Sequence, residues 1–243
     1  MQVIKLSATD STSGFLRRKM AAEPVSDFTV VWSLEQTDGR GQPGRSWQSE
    51  KGKNLTFSIL KKFEGLQATD HFRLNMAVSR AVYDVLASLA VPDLRIKWPN
   101  DILSGPHKLC GLLLENHLQG KRLAHSIIGI GLNVNQASFG DLPGAASLLA
   151  VTGRSYELEA LLAQLCDRLG EELDRLPQTD FATERAAYEA LLFRKDRPAT
   201  FSGPDGVLFP GIIRGISHEG LLVVEVDKGV RKAFDFRSVR MHY

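Results

Sequence analysis

The spacing of apolar residues changes character once along this chain, and that change sets the architecture. Up to Phe193, short runs rich in branched and aromatic residues alternate with stretches of helical period. Val3–Leu6, Phe28–Leu34, Asn54–Leu60, Leu94–Trp98, Leu109–Glu115 and Ser126–Val134 are bounded by glycine, asparagine or proline and read as strands. Leu74, Val78, Ala81, Val85 and Leu89 recur at three- and four-residue steps and predict a helix starting near Asp70. Leu158, Leu161, Leu162, Leu165, Leu169 and Leu173 predict another between about Tyr156 and Leu176, and a shorter helix is expected from Phe181 to Leu192. After Phe193 the helical period stops. Turn-forming breaks at Gly203–Gly206, His218–Gly220 and Asp227–Gly229 separate short strand candidates, which predicts an antiparallel meander closing into a small barrel. The expected class is therefore α+β: a body over 1–193 that mixes sheet and helices, and an all-β unit over 194–243.

Charge and composition narrow the function. At 243 residues the chain can bury a sizeable core. Its net charge of +2 is too small for a nucleic-acid coat or a membrane-surface binder, so neither DNA nor membrane is an expected partner. No run of about 18 apolar residues is present, and MQVIKLSATD lacks a charged-then-apolar leader. Two cysteines, Cys110 and Cys166, suit a reducing compartment. The expectation is a soluble cytoplasmic enzyme.

Gly39–Ser46 reads G-R-G-Q-P-G-R-S, one residue from the triphosphate-binding pattern G-x-x-x-x-G-K-[ST], with Arg45 in the lysine position. That pattern works only where the loop opens a helix whose free N–H groups hold phosphate. Here WQSEKGKN and a strand follow, and no helical period resumes before Thr69. Arginine also does not replace a compact ammonium freely. The loop is a basic, glycine-rich segment of another kind.

Three further stretches carry polar groups at strand ends. In KWPND, Lys97–Asp101, Pro99 stops a strand and gathers Lys97, Asn100 and Asp101. Lysine suits phosphate, while Asn100 and Asp101 offer oxygens of the kind Mg²⁺ accepts. In KLCGLLLE, Gly111 removes a side chain from a strand, a mark of close approach by a ligand or a second backbone, and Lys108 precedes it. IIGIGLNVN, Ile127–Asn135, ends in asparagines, of which Asn133 reads as a ribose or phosphate contact. DSTSGFLRRK, Asp10–Lys19, reads first as a helix start capped by Asp10 or Ser11, with hydroxyls also able to meet a polar ligand. The six histidines show no i, i+4 pair and the cysteines no C-x-x-C, so no histidine or cysteine metal site is expected.

In this order, DST, E-Q-x-x-G-R-G-x-x-G-R-x-W, KWPND, K-L-x-G-[IL]-L-x-E and G-[IA]-G-[IL]-N resemble the biotin–protein ligases, from Ser11 to about Asn135. The resemblance implies a catalytic domain like that of the class II aminoacyl-synthetases, with an SH3-like C-terminal barrel. Because DST begins at residue 10, it is to the monofunctional class without a DNA-binding domain. It implies that biotin and ATP, with Mg²⁺, form biotinyl-5′-AMP, and that biotin then passes to a lysine of a carboxylase's biotin carrier domain. No covalent enzyme intermediate, haem, flavin or zinc is expected.

By position in these motifs, Ser11, Thr12, Gln36, Arg40, Lys108 and Gly111 are implied for biotin, and Arg45, Trp47, Lys97, Asn100 and Asn133 for ATP. Lys108, Arg40, Lys97 and Asp101 are implied for the chemistry, and Asp101 with Asn100 for Mg²⁺. The glycine-rich loop becomes a lid over the adenylate. One departure stands out: the family commonly has G-R-G-R, and Gln42 takes the second arginine's place. A lipoate- or octanoate–protein ligase of the same fold and a non-catalytic biotin sensor are the competing readings. A homodimer through an exposed sheet edge is a further possibility.

Overall fold

A computed structural model describes residues 1–140, 142, 144–227 and 229–243. Its larger sheet has seven strands: β1 (Gln2–Leu6), β2 (Thr29–Ser33), β3 (Leu55–Lys62), β4 (Leu94–Lys97), β5 (Asp101–Ser104), β6 (His107–Gln119) and β7 (Arg122–Leu132). They lie in the order β1-β2-β3-β7-β6-β5-β4, with β1–β2 parallel and every other pair antiparallel.

Alternation along the strands divides the sheet into two faces. Leu55, Phe57 and Ile59 on β3, with Ile128, Ile130 and Leu132 on β7, join the main core. That core lies under α2 (His71–Ser88), which packs against α4 (Leu158–Arg175) and α5 (Phe181–Ala190). The opposite face carries Val31, Leu60 and Ile127, which bury Leu16 of α1 (Thr12–Ala22) in a smaller cluster. The same face continues through Thr56, Ser58, Gly129, Gly131 and Gly111, paired across β3, β7 and β6. These are too small to fill the space beside the start of α1, which leaves a depression there.

The tail forms a five-stranded antiparallel sheet, β8 (Pro198–Ser202), β9 (Leu208–Ile216), β10 (Leu222–Asp227), β11 (Val230–Phe234) and β12 (Arg240–His242), in the order β11-β10-β9-β8-β12. The expected breaks Gly203–Gly206 and His218–Gly220 are its turns, with Gly206 and Gly220 at positive φ. The third break contains Lys228, which lies outside the described residues. Phe201, Ile213, Ile216, Leu222 and Val224 of the tail belong to the same continuous core as α2.

The expected strands and the three expected helices are present, with shifted ends. β6 and β7 run past Glu115 and begin before Ser126, meeting at a turn with Gly120 at φ +61°. Their polar ends hide the extension, because a two-stranded projection needs no apolar alternation. The four-residue β5 was missed in the sequence for another reason: it starts at Asp101, inside a stretch that reads as a turn. α3 (Leu148–Thr152), a single capped turn, leaves no periodic trace either.

Candidate active site

The N-terminus of α1 opens beside the depression. Ser11 caps the helix through Gly14 N–H, 3.0 Å. Asp10 is taken instead by Arg18, at 2.6 and 2.7 Å, which holds its carboxyl well below the usual carboxylate range. That settles which of the two candidates caps the helix. Gln36 Oε1 accepts from Thr12 N–H at 2.8 Å and from Thr12 Oγ1 at 3.1 Å, and Thr12 Oγ1 meets Ser58 Oγ at 2.7 Å. Ser11, Thr12 and Ser58 are buried, so this is a fixed polar wall rather than a solvated surface.

The glycine-rich loop folds over it as a hairpin. Trp47 N–H donates to Gly39 O at 2.8 Å, Gly41 N–H to Arg45 O at 3.1 Å, and Arg45 N–H to Gln42 O at 2.8 Å. Pro43 and Gly44, the latter at φ +81°, make the tip a type II turn. Arg40 and Arg45 are exposed on this hairpin. The Trp47 indole lies across the cross-strand pair Gly111 and Gly131, where a Cβ on Gly131 would collide with the ring. Gly131 is therefore required by the tryptophan, and at Gly111 a Cβ would press on the ring at 3.1 Å and on Lys108 Nζ at 3.0 Å. The indole N–H is buried and finds no partner among the described residues.

Lys108 Nζ reaches Asp101 Oδ1 at 2.6 Å and lies 5.7 Å from the Trp47 ring centre. Lys97 Nζ stands 3.9 Å from Asp101 Oδ2 across the β4–β5 hairpin. Asn100 is buried and donates Nδ2–H to Leu112 O at 2.6 Å, tying this hairpin to β6. Cys110 points into the main core, where complete burial pushes its thiol far above the ordinary range; it is packing, not a nucleophile.

Two cavities meet here. A slot of about 110 Å³ is lined by Ser11, Thr12, Gln36, Arg40, Trp47, Lys108 and Gly111. A larger cavity of about 970 Å³ opens towards the tail and is lined by Lys97, His107, Arg237 and Arg240. Gln42, Arg45, Asn100 and Asp101 line both. Asp101 is the single side-chain carboxylate among the described lining residues of the larger cavity, and it faces two lysines. The field in that space favours a polyanion.

Of the twelve residues singled out in the sequence, eleven line one or both cavities. Asn133 does not. It is buried, with Nδ2 donating to Ala146 O at 3.0 Å and to Lys108 O at 3.4 Å, so it supports the Lys108 backbone instead of facing a ligand. Asn100 and Asp101 do not by themselves make a resident magnesium site. One Asp101 oxygen pairs with Lys108, Asn100 keeps its Oδ1 open because its bond to Leu112 uses Nδ2–H, and no cluster of three His, Cys, Asp or Glu suited to a metal occurs among the described residues. Sequence reading missed Ser58, whose hydroxyl closes the polar wall. A serine within an apolar strand was the available signal. It also missed Arg237 and Arg240, which only the packing of the tail brings to the cavity.

Known proteins resemble this chain in sequence and fold. The sequence profile of the Biotin/lipoate A/B protein ligase family matches residues 6–133. The biotin--[acetyl-CoA-carboxylase] ligase of Mycobacterium tuberculosis is 31% identical, over 93% of this chain and 84% of its own length. That of Paracoccus denitrificans is 30% identical, over 92% and 94%. The bifunctional ligase/repressor of Escherichia coli is 30% identical, over 93% of this chain and 70% of its own. Among solved structures, the biotin protein ligase from Aquifex aeolicus in complex with biotin and ATP superposes with a TM-score of 0.81 at 26% identity, covering 99% of this chain and 98% of that one. With the motifs, the glycine-floored slot and the fold in agreement, this chain belongs to the biotin/lipoate A/B protein ligase family.

Proposed function

We propose that this chain is an ATP-dependent biotin–protein ligase that makes biotinyl-5′-AMP and passes biotin to a lysine of a carboxylase's biotin carrier domain. The observation that carries the reading is the wall shared by the two cavities, with Lys108 beside it. A carboxylate in the slot and a nucleoside triphosphate in the basic cavity meet at Arg45, Asp101 and Lys108.

The residue chemistry matches each half-reaction. Buried hydroxyls and the Gln36 amide suit the urea head of biotin, which presents both donors and an acceptor. Arg40 and Lys108 suit the far end of the slot, where biotin's carboxylate lies. Its oxygen attacks the α-phosphorus of ATP, and pyrophosphate leaves as the new P–O bond forms. Two anions must approach, so cations fixed in advance lower the barrier more than flexible ones would. Arg45 and Lys97 take this role on the phosphate side, and Trp47 walls the nucleotide once the slot is filled. Magnesium arrives with the nucleotide as part of the substrate. Lys97, Asn100 and Asp101 orient the phosphates, and Gly111 leaves room for the adenylate. Asn133 acts indirectly, by holding the Lys108 strand end.

The product is a mixed anhydride that water would destroy, and the hairpin lid over the slot shields it until the carrier's lysine amine attacks the carbonyl and AMP departs. Residues 1–193 form the catalytic unit and 194–243 the barrel. The protein acts in the cytoplasm and has no DNA target; a homodimer through the free edge of β1 is compatible with this role. Among the described residues no helix is long and apolar enough to cross a membrane.

The test is the mass of a carrier domain after incubation with the protein, ATP and Mg²⁺, with biotin or lipoate in separate tubes. An ATP-dependent gain of one biotin supports the proposal. A lipoyl gain keeps the fold and moves the substrate, and biotin binding without any gain leaves a sensor.

A further inference from the structure

Trp98 opens the β4–β5 connection, directly after Lys97 and three residues before Asp101. Its indole Nε1–H donates to Gly220 O at 2.9 Å, across 122 positions of sequence. Gly220 closes the β9–β10 turn of the tail, where its N–H donates to Ser217 O at 3.1 Å. The accepting carbonyl cannot shift easily. Gly220 sits at φ +84°, and a Cβ there would fall inside the Phe72 ring at the start of α2. Phe72 is itself buried and packs edge-on against Tyr188 at 5.9 Å. The neighbouring Ile216 N–H is held by Glu189 of α5 at 2.9 Å. The tail turn is thus wedged against the body.

The β4–β5 hairpin is laddered to β6 and bridged to Leu192 through Ile96, but the end where Lys97 and Asp101 lie depends on the short connection between the strands. Each strand has only four residues, and Lys97 and Asp101 form its last cross-strand pair. The connection is tied at two points: Asn100 to Leu112 of the main sheet, and Trp98 to Gly220 of the tail. The tail also reaches Lys97, whose ammonium lies 4.9 Å from the Tyr243 ring centre.

We propose that Trp98 is a positioning residue for Lys97 and Asp101, anchored by the Gly220 carbonyl, so that the C-terminal barrel sets the geometry of adenylate formation. This rests on the ligase reading above. A group displaced by even 1 Å forfeits much of the benefit of fixed charge, and one lost hydrogen bond at the anchor corresponds to a fall of roughly 3- to 10-fold in rate.

The experiment measures biotin-dependent exchange of labelled pyrophosphate into ATP by the full chain, with biotin affinity and melting temperature alongside. Trp98→Phe keeps an aromatic ring against the core while deleting the donor and part of the indole. Its kcat for exchange should fall by that factor while biotin affinity is unchanged and the protein stays folded at the assay temperature. Gly220→Ala, whose added Cβ would strike the Phe72 ring, should lower both the melting temperature and kcat; compared at a temperature where both variants are folded, the double variant should be less impaired than the product of the two. Wild-type kcat and KM for ATP in Trp98→Phe overturn the inference, as does a loss accounted for by unfolded protein. Absence of exchange in the unmodified chain overturns the ligase reading, and this inference with it; that failure is distinguishable because no variant is needed to see it.

Discussion

Replacing Lys108 by alanine should separate the two half-reactions. Lys108 Nζ is 2.6 Å from Asp101 Oδ1, and its side chain keeps about a third of its exposure (34%). The lysine end is open to water but the Asp101 side chain is only 14% exposed, so losing the pair costs about 1–3 kcal/mol of stability, and Lys97 remains 3.9 Å from Asp101 as a second partner. The variant should therefore fold. Its chemistry should suffer far more. Removing one preorganised group that stabilises charge in a transition state costs about 10²- to 10³-fold in rate, about 2.7–4 kcal/mol. Lys97 and Arg45 still face the phosphates, so a residue of activity should survive. Pyrophosphate exchange reads this first step alone. Transfer from presynthesised biotinyl-5′-AMP to the carrier bypasses it and should be far less affected. An exchange rate indistinguishable from that of the unmodified protein would refute the placement of Lys108. Equal losses in both assays would instead make it a residue that holds the adenylate, not one that helps form it.

Thr12→Val should destabilise the protein by about 1–3 kcal/mol in urea unfolding, because it strands the buried Ser58 hydroxyl; adding Ser58→Ala should recover most of this, and a double variant no better than the single would contradict the pairing. Burial, then His117 stacked at 4.5 Å, then Lys62 hold the His125 imidazolium below its ordinary pKa. Below pH 6.5 the unfolded chain therefore takes up this proton more readily than the folded one, so stability should rise with pH until that value is passed. His125→Gln should flatten this part of the melting-temperature profile, and an unchanged slope would exclude His125 as its source. Filling the slot should move the Trp47 indole off its glycine floor, so the fluorescence change on adding biotin should vanish in Trp47→Phe; a change that persists would assign it to Trp32 or Trp98.

The parts of this protein legible in the sequence are those set by short-range rules. The α2 and α4 stripes, a helix cap at Asp10 or Ser11 and the tail turns at Gly203–Gly206 and His218–Gly220 all follow from periodicity or backbone preference. Eleven of twelve expected site residues reach the cavities because their motifs sit at the N-terminus of α1, on β6, at strand ends or in the lid, which the sheet gathers on one face. The exceptions are decided by pairing register and domain packing. Asn133 looked like a ligand contact because asparagine at a strand end is polar; only the register of β6 against β7 shows it enclosed behind Lys108. Gly131 reads as a strand glycine until Trp47 is seen lying on it. Trp98 gave no sign of its partner, which lies 122 residues away.

The same distinction bears on Gln42. Sequence comparison alone makes it a missing cation in the lid. In the structure Gln42 lines both cavities and begins the turn whose next two residues are Pro43 and Gly44. Proline at that position fixes φ, and glycine occupies the left-handed region without strain, so the closed hairpin loses less conformational entropy when it orders. The lid thus has one charge fewer and one constraint more. If charge dominates retention, Gln42→Arg slows escape of biotinyl-5′-AMP, and Pro43→Ala leaves it nearly unchanged. If the turn dominates, Pro43→Ala speeds escape and Gln42→Arg has little effect. Gln42 is half-buried and faces both cavities, so a cation there would act on the adenylate across a partly solvated gap, which argues for charge at low ionic strength. Gln42→Arg should then slow adenylate release, with the effect shrinking as salt is raised. A release rate unchanged by Gln42→Arg at low salt would rule charge out and leave the proline turn as what keeps the lid closed.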